Sequence, residues 1–147
     1  MTRGTDRRHF ARAVVESMAY QTADVIRLMQ EESGVEIKEL RVDGGASVMD
    51  FLLQFQADLL RVIVRRPTIA DTTALGAALL AGLATGVWEG LGQIEERWKV
   101  EKEARPREDA GRMNKLYQAW KKAVERSLGW AQEIERSGEC GQACERT

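Results

Sequence analysis

Apolar positions between Arg8 and Ser33 fall at Ala11, Val14, Val15, Met18, Thr22, Val25, Ile26 and Met29. Steps of three and four predict one long amphipathic helix, with Gly34 placed to stop it. Leu40-Arg41-Val42 then reads as a short strand, Gly44-Gly45 as a turn, and Ser47 as the N-cap of a helix carrying Val48, Phe51, Leu52, Phe55 and Leu59. Arg61-Val62-Ile63-Val64 follows, with three β-branched residues in a row, which suits a strand covered on both faces. Strand, helix and strand in succession make a βαβ unit, whose strands lie parallel with a right-handed crossover. The expected class is therefore α/β.

Pro67 closes the second strand, and Asp71 or Thr72 caps a helix from Thr73 to Thr85 made largely of small residues, TALGAALLAGLAT. GVWEGLGQ reads as a loop or short turn, and Arg97 to Ala104 as a half-exposed strand that Pro106 punctuates. From about Glu108 to Glu135 a stripe of Met113, Leu116, Tyr117, Trp120, Val124 and Leu128 predicts a helix docked on the domain surface. Lys121 and Lys122 fall on its solvated face. The sheet count is low for so many helices. Two parallel strands and a doubtful third do not make a stable sheet, and the first helix has no strand before it. Its apolar face calls for a partner that this chain does not obviously contain.

Composition narrows the function classes. With 147 residues, 44% hydrophobic content and a formal net charge of −1, the chain carries no global positive field to hold nucleic acid or an anionic membrane. No apolar run approaches a membrane span, and no apolar stretch follows the N-terminal arginines, so the expected location is cytoplasmic. Cys140 and Cys144 lie in a polar tail and form no disulfide framework; a structural zinc site wants four ligands, and free thiols are the reading. His9 is the sole histidine, so a Ser-His-Asp arrangement would have to be built near the polar N-terminus. Asp50, Asp58 and Asp71 are candidate carboxylates whose convergence the sequence does not reveal.

VDGGAS is the most specific candidate, because it follows a strand and opens a helix. Amides after Gly44 and Gly45, with the positive helix end, suit a phosphate or a nucleotide edge. A plain strand-to-helix turn accounts for the same glycines, the spacing is not G-x-G-x-x-G, and no P-loop lysine is present. Both readings stay open on the residues alone. Asp43 lies where open α/β sheets bind ligands, or it caps the turn. Gly76 and Gly82 let their helix approach a neighbour, or leave room for a planar ligand; packing is the preferred reading.

ARAVVESMAYQTADVIRLM, LRVDGGAS, FLLQFQADLL, TALGAALLAGLATGVW and AWKKAVERSLGW, in that order between Thr2 and about Gln132, resemble the C-terminal portion of glycerol kinases. These belong to the carbohydrate kinases that share the actin and hexokinase ATPase fold. The resemblance implies a partial ribonuclease H-like domain, helices packed on an incomplete parallel or mixed sheet, over residues 1–136, with a flexible tail at 137–147. It implies that Gly44, Gly45, Ala46 and Met49 contact an adenine nucleotide. Many members carry asparagine where this chain has Met49, which packs on a base without supplying the same amide hydrogen bonds.

The complete enzyme implied is an ATP- and Mg2+-dependent kinase making glycerol 3-phosphate from glycerol. The family resemblance implies two lobes with the substrates in the cleft between them. This chain, part of the second, would supply the adenosine side of the site, bind glycerol only with the first lobe, and carry no catalytic residue and no metal ligand. Met1 is then expected to open a fragment or a truncated reading frame, and the chain alone to be inactive. The alternative is a non-catalytic interaction or self-association module, a homo-oligomer included, with weak nucleotide binding or none.

Overall fold

The computed structural model describes residues 2–69, 71–95 and 97–129. The chain divides into two compact units, Met1–Met113 and Asn114–Thr147. The first holds the sheet. Its elements run α1 (Arg7–Ser33), β1 (Glu39–Arg41), a 3-10 turn (Gly45–Val48), α2 (Asp50–Leu60), β2 (Ile63–Pro67), α3 (Thr72–Ala84), α4 (Leu91–Glu95) and β3 (Val100–Ala104). The second contains most of α5 (Ala110–Ser127), where Lys121 and Lys122 are exposed. The expected tail and both cysteines lie outside the described residues.

Helix α1 matches the periodicity to within a residue. Asp6 caps it, its carboxylate accepting from the amides of Arg8 and His9, and the His9 ring closes a capping box on the Asp6 backbone. That role accounts for the sole histidine. Gly34 ends the helix at φ 68°, in the left-handed conformation glycine adopts without penalty.

The three strands are ordered β1-β2-β3. β1 and β2 are parallel, with Leu40 opposite Val64, while β3 runs antiparallel to β2, with Ala104 opposite Val64. The expected mixed sheet on an incomplete α/β scaffold is thus what forms, and the doubtful third strand is real. Helix α2 covers the sheet through Leu53 and Ala57, which pack with Val62, Val64 and Ala104. On its other side Phe55 meets Tyr20 of α1 edge-on, with ring centroids 5.5 Å apart.

Apart from one-residue shifts of β1 and α3, four readings depart from expectation: β3 begins at Val100 rather than Arg97, the end of the expected loop enters the short helix α4, and two boundaries move where neighbouring elements compete. β2 begins at Ile63 rather than Arg61, because Arg61 takes φ 61° and its amide bonds the Ala57 carbonyl to close α2. Ser47 does not cap α2. A 3-10 turn intervenes, Met49 occupies the cap position, and the Ser47 hydroxyl turns back to the Gly44 carbonyl at 2.7 Å.

The apolar stripe of α1 is only partly covered. Ala19, Tyr20 and Ala23 are buried, whereas Val14, Met18, Val25 and Met29 stay exposed, as do Phe10 and Leu28 beside them. Helix α3 has no buried residue at all. Gly82 leaves room for the Trp88 indole, which folds back over it, so packing is its reading; a Cβ at Gly76 would meet nothing.

Candidate functional site

β1 and β2 point their carboxyl ends the same way, and each is followed by a turn into a helical segment. Adjacent parallel strands make this edge the usual ligand crevice of α/β sheets. After β1 comes Asp43-Gly44-Gly45, and after β2 comes Asp71-Thr72-Thr73 at the start of α3. These six residues line an open hollow of about 380 Å³. In the sequence Asp71 of this second wall reads as a helix cap or a candidate carboxylate and Thr72 as a cap, with no local sign that they face the glycine turn. Parallel pairing of the strands brings the walls together, and that pairing was the available signal.

The two glycines differ physically. Gly44 sits at φ 77° and ψ 178°, a region essentially closed to residues with a Cβ, so the backbone itself demands glycine there. Gly45 has no such constraint: its φ is not positive, and a Cβ built on it would meet nothing within 4 Å. Among the described residues beyond its chain neighbours, nothing requires glycine at the second position, which lines the open hollow. Ala46 is exposed beside it. Met49, half-buried at the end of the 3-10 turn, bonds its amide to the Ala46 carbonyl at 3.2 Å and is not among the lining residues.

Electrostatically the hollow is acidic on both rims. Asp43 is exposed, and Asp71 caps α3 by accepting from the Ala74 amide at 3.3 Å. With Thr72 and Thr73 adjacent, the side chains offer hydroxyls and carboxylate acceptors. Such a surface suits a polyhydroxylated ring better than a bare phosphate, which the two carboxylates would repel.

The other carboxylates have structural duties. Asp58, 3% exposed, accepts from the amides of Arg107 and Glu108 at 2.6 and 3.1 Å and from Gln54. Asp50 pairs with Lys102 and Arg66, and the Lys102 ammonium, with Arg66 adding to it, holds its carboxyl below the usual range. No three His, Cys, Asp or Glu side chains converge as a metal site among the described residues. No helix there is long and apolar enough to cross a membrane.

The signature of the C-terminal domain of the FGGY family of carbohydrate kinases matches residues 1–85. The chain belongs to the FGGY family of carbohydrate kinases. Among its relatives, the glycerol kinase of Pseudothermotoga lettingae is 54% identical over 132 residues, 90% of this chain and 26% of that protein. The glycerol kinase of Xanthomonas campestris pv. campestris is 54% identical over 130 residues, again 26% of its length. This carbohydrate kinase chain thus spans about a quarter of the curated relatives it matches. The crystal structure of Plasmodium falciparum glycerol kinase with ADP superposes at a TM-score of 0.76 with 31% identity, over 87% of this chain and 26% of that one. A xylulose kinase from Lactobacillus acidophilus, ligand-bound, superposes at 0.73 over 90% of this chain and 27% of its own, and at 21% identity it attests the fold alone.

Proposed function

We propose that this chain carries the adenosine wall of the nucleotide site of a glycerol kinase, an enzyme that transfers the γ-phosphoryl group of ATP to a glycerol hydroxyl. The observation that carries the reading is Gly45, a glycine that no backbone angle and no described residue beyond its chain neighbours requires, placed on a hollow at the carboxyl ends of two parallel strands. A side chain there would occupy space that a bound group needs. Half-identity to glycerol kinases and superposition on one with ADP supply the chemical class.

Within this reading the chain's own residues bind and orient; they transfer nothing. Gly44 and Gly45 bring the backbone against the nucleoside, Ala46 borders it, and Asp43 or Thr73 accepts hydrogen bonds from sugar hydroxyls. Met49 packs near the base without replacing an amide contact. ATP would supply the phosphoryl group and Mg2+ would offset the charge of its phosphates; no residue of the hollow is assigned to the metal. Phosphoryl transfer rests on positioning and electrostatic stabilisation of a transition state that needs both lobes. The 147-residue chain alone is accordingly inactive.

Two measurements test this. Calorimetric titration with ADP should give weak saturable binding, and its absence at millimolar ligand would remove the nucleotide reading. Glycerol-dependent ATP turnover by the purified chain would refute the assignment of catalysis to other residues. A second reading, an interaction module, is favoured by the unburied α3 and the exposed stripe of α1. Light scattering after size-exclusion chromatography separates the two: a monomer across the micromolar range would count against self-association.

A further inference from the structure

β2 carries a buried arginine. Arg66 is 7% exposed and lies under the glycine turn, outside the hollow's lining. Its Nη1 donates to the Ser47 carbonyl at 2.8 Å and to Asp50 Oδ1 at 3.3 Å, while Nε and Nη2 grip both Glu101 carboxylate oxygens at 3.0 and 3.1 Å. Ser47, itself 3% exposed, returns both its amide and its hydroxyl to the Gly44 carbonyl, at 3.1 and 2.7 Å. One unbroken chain of hydrogen bonds therefore runs from β3 through Arg66 and Ser47 to Gly44. It crosses the sheet where the β2–β3 register shifts, between Arg66 and Pro67.

Burying a guanidinium is costly, and an apolar side chain of similar volume in such a place is often neutral or stabilising. An apolar side chain could not hold the Ser47 carbonyl. Lysine could not hold it and a bidentate carboxylate together, because it lacks the planar fork. We propose that Arg66 is the positioning residue of the glycine turn, fixing through Ser47 the placement of the Gly44 and Gly45 backbone that receives the nucleoside. The inference rests on the nucleotide reading for its purpose, but its structural half can be measured without ligand.

The test uses Arg66→Met and Glu101→Gln in the 147-residue chain, with ¹⁵N relaxation, amide hydrogen exchange and ADP titration. Arg66→Met should keep the Leu53 and Val64 amides protected as in the parent. The Gly44 and Gly45 order parameters should fall from about 0.85 toward 0.6. Exchange of the Ser47 amide should accelerate about tenfold, and ADP affinity should drop by a similar factor. Glu101→Gln, which leaves the arginine in place but weakens its grip, should show the same pattern at about threefold, and it decides the matter if the methionine variant does not fold. Arg66→Lys should restore only part of the order. Unchanged turn dynamics in a folded variant overturn the proposal, whatever happens to ADP. A mobilised turn in a chain that never binds ADP sustains the positioning role and removes the nucleotide reading instead.

Discussion

Exchanging each glycine of the turn for alanine separates conformation from ligand clearance. At Gly44, with φ 77° and ψ 178°, a Cβ forces a strained backbone at about 1–3 kcal/mol. At roughly 2–4 °C per kcal/mol for a chain of this size, the midpoint of unfolding should fall by about 2–12 °C. At Gly45 the sign reverses. Its φ is not positive and the added methyl meets nothing within 4 Å, so alanine lowers unfolded-state entropy and should stabilise by about 0.4–1 kcal/mol. Thermal unfolding followed by circular dichroism reads both. ADP titration then supplies the contrast, since Gly45→Ala should weaken binding by about tenfold or more, roughly 1.4 kcal/mol, in a protein that is no less stable. A destabilised Gly45→Ala would mean that the turn itself needs the second glycine. A stable Gly45→Ala with undiminished ADP binding would mean that nothing approaches the backbone there, and the clearance argument would fail.

Asp58→Ala should cost about 2–4 kcal/mol in urea unfolding, because it strands the Arg107 and Glu108 amides beside a buried site, while Asp58→Asn should cost less by keeping one acceptor oxygen. Stability should also fall in acid. The carboxyls of Asp50 and Glu103 are held below their usual range by Lys102 and Arg65 respectively, so their contribution is complete above the unfolded carboxylate values near pH 4 and is lost as pH falls through the lower folded values. A pH series of thermal midpoints checks this, and Asp50→Asn should flatten the decline; Asp50 is exposed and Glu103 half-buried, so added salt should shrink the Asp50 contribution more than that of Glu103.

Much of this was legible from local pattern. The extent of α1 followed from its period and from Gly34, the parallel strand pair followed from the strand, helix and strand succession, and the cap of α3 followed from Asp71. The errors share a cause, which is competition between neighbouring elements for the same residues. Val62-Ile63-Val64 announced a strand correctly, but α2 needed Arg61 for its own termination. Ser47 is a capping residue by chemistry, yet the 3-10 turn redirected its hydroxyl to Gly44. The hollow's second wall, Asp71-Thr72-Thr73, lies far along the chain from Gly44 and becomes visible only once the strands are paired. Arg66 with Glu101 is more distant still in this sense: the contact depends on the antiparallel register of β3, which no local period encodes. The stripe of α1 was expected to lack a partner in this chain; α2 in fact covers Ala19, Tyr20 and Ala23, whereas Val14, Met18, Val25 and Met29 stay exposed as expected.

The two walls of the hollow are not equally anchored, and this has a measurable consequence. The wall after β1 is tied to the core: Val42 donates to the Arg65 carbonyl at 3.0 Å, and Ser47 is held by Arg66. The wall after β2 begins α3, a helix with no buried residue, whose inner face borders an open cleft of about 1310 Å³ shared with Arg41 and Trp98 of the sheet side. Few buried contacts mean low local stability. If α3 is in place only part of the time, the apparent nucleotide affinity of this chain is reduced by that fraction, and the nucleotide in turn must stabilise α3. Hydrogen exchange with and without saturating ADP reads this directly. Amides of residues 73–81 should be fast in the free chain and slowed severalfold by ADP, while those of α2, already packed on Val62 and Val64, should barely change. Equal protection of the two helices, or an α3 as slow as α2 before ligand is added, would show that the second wall is fixed by contacts other than burial.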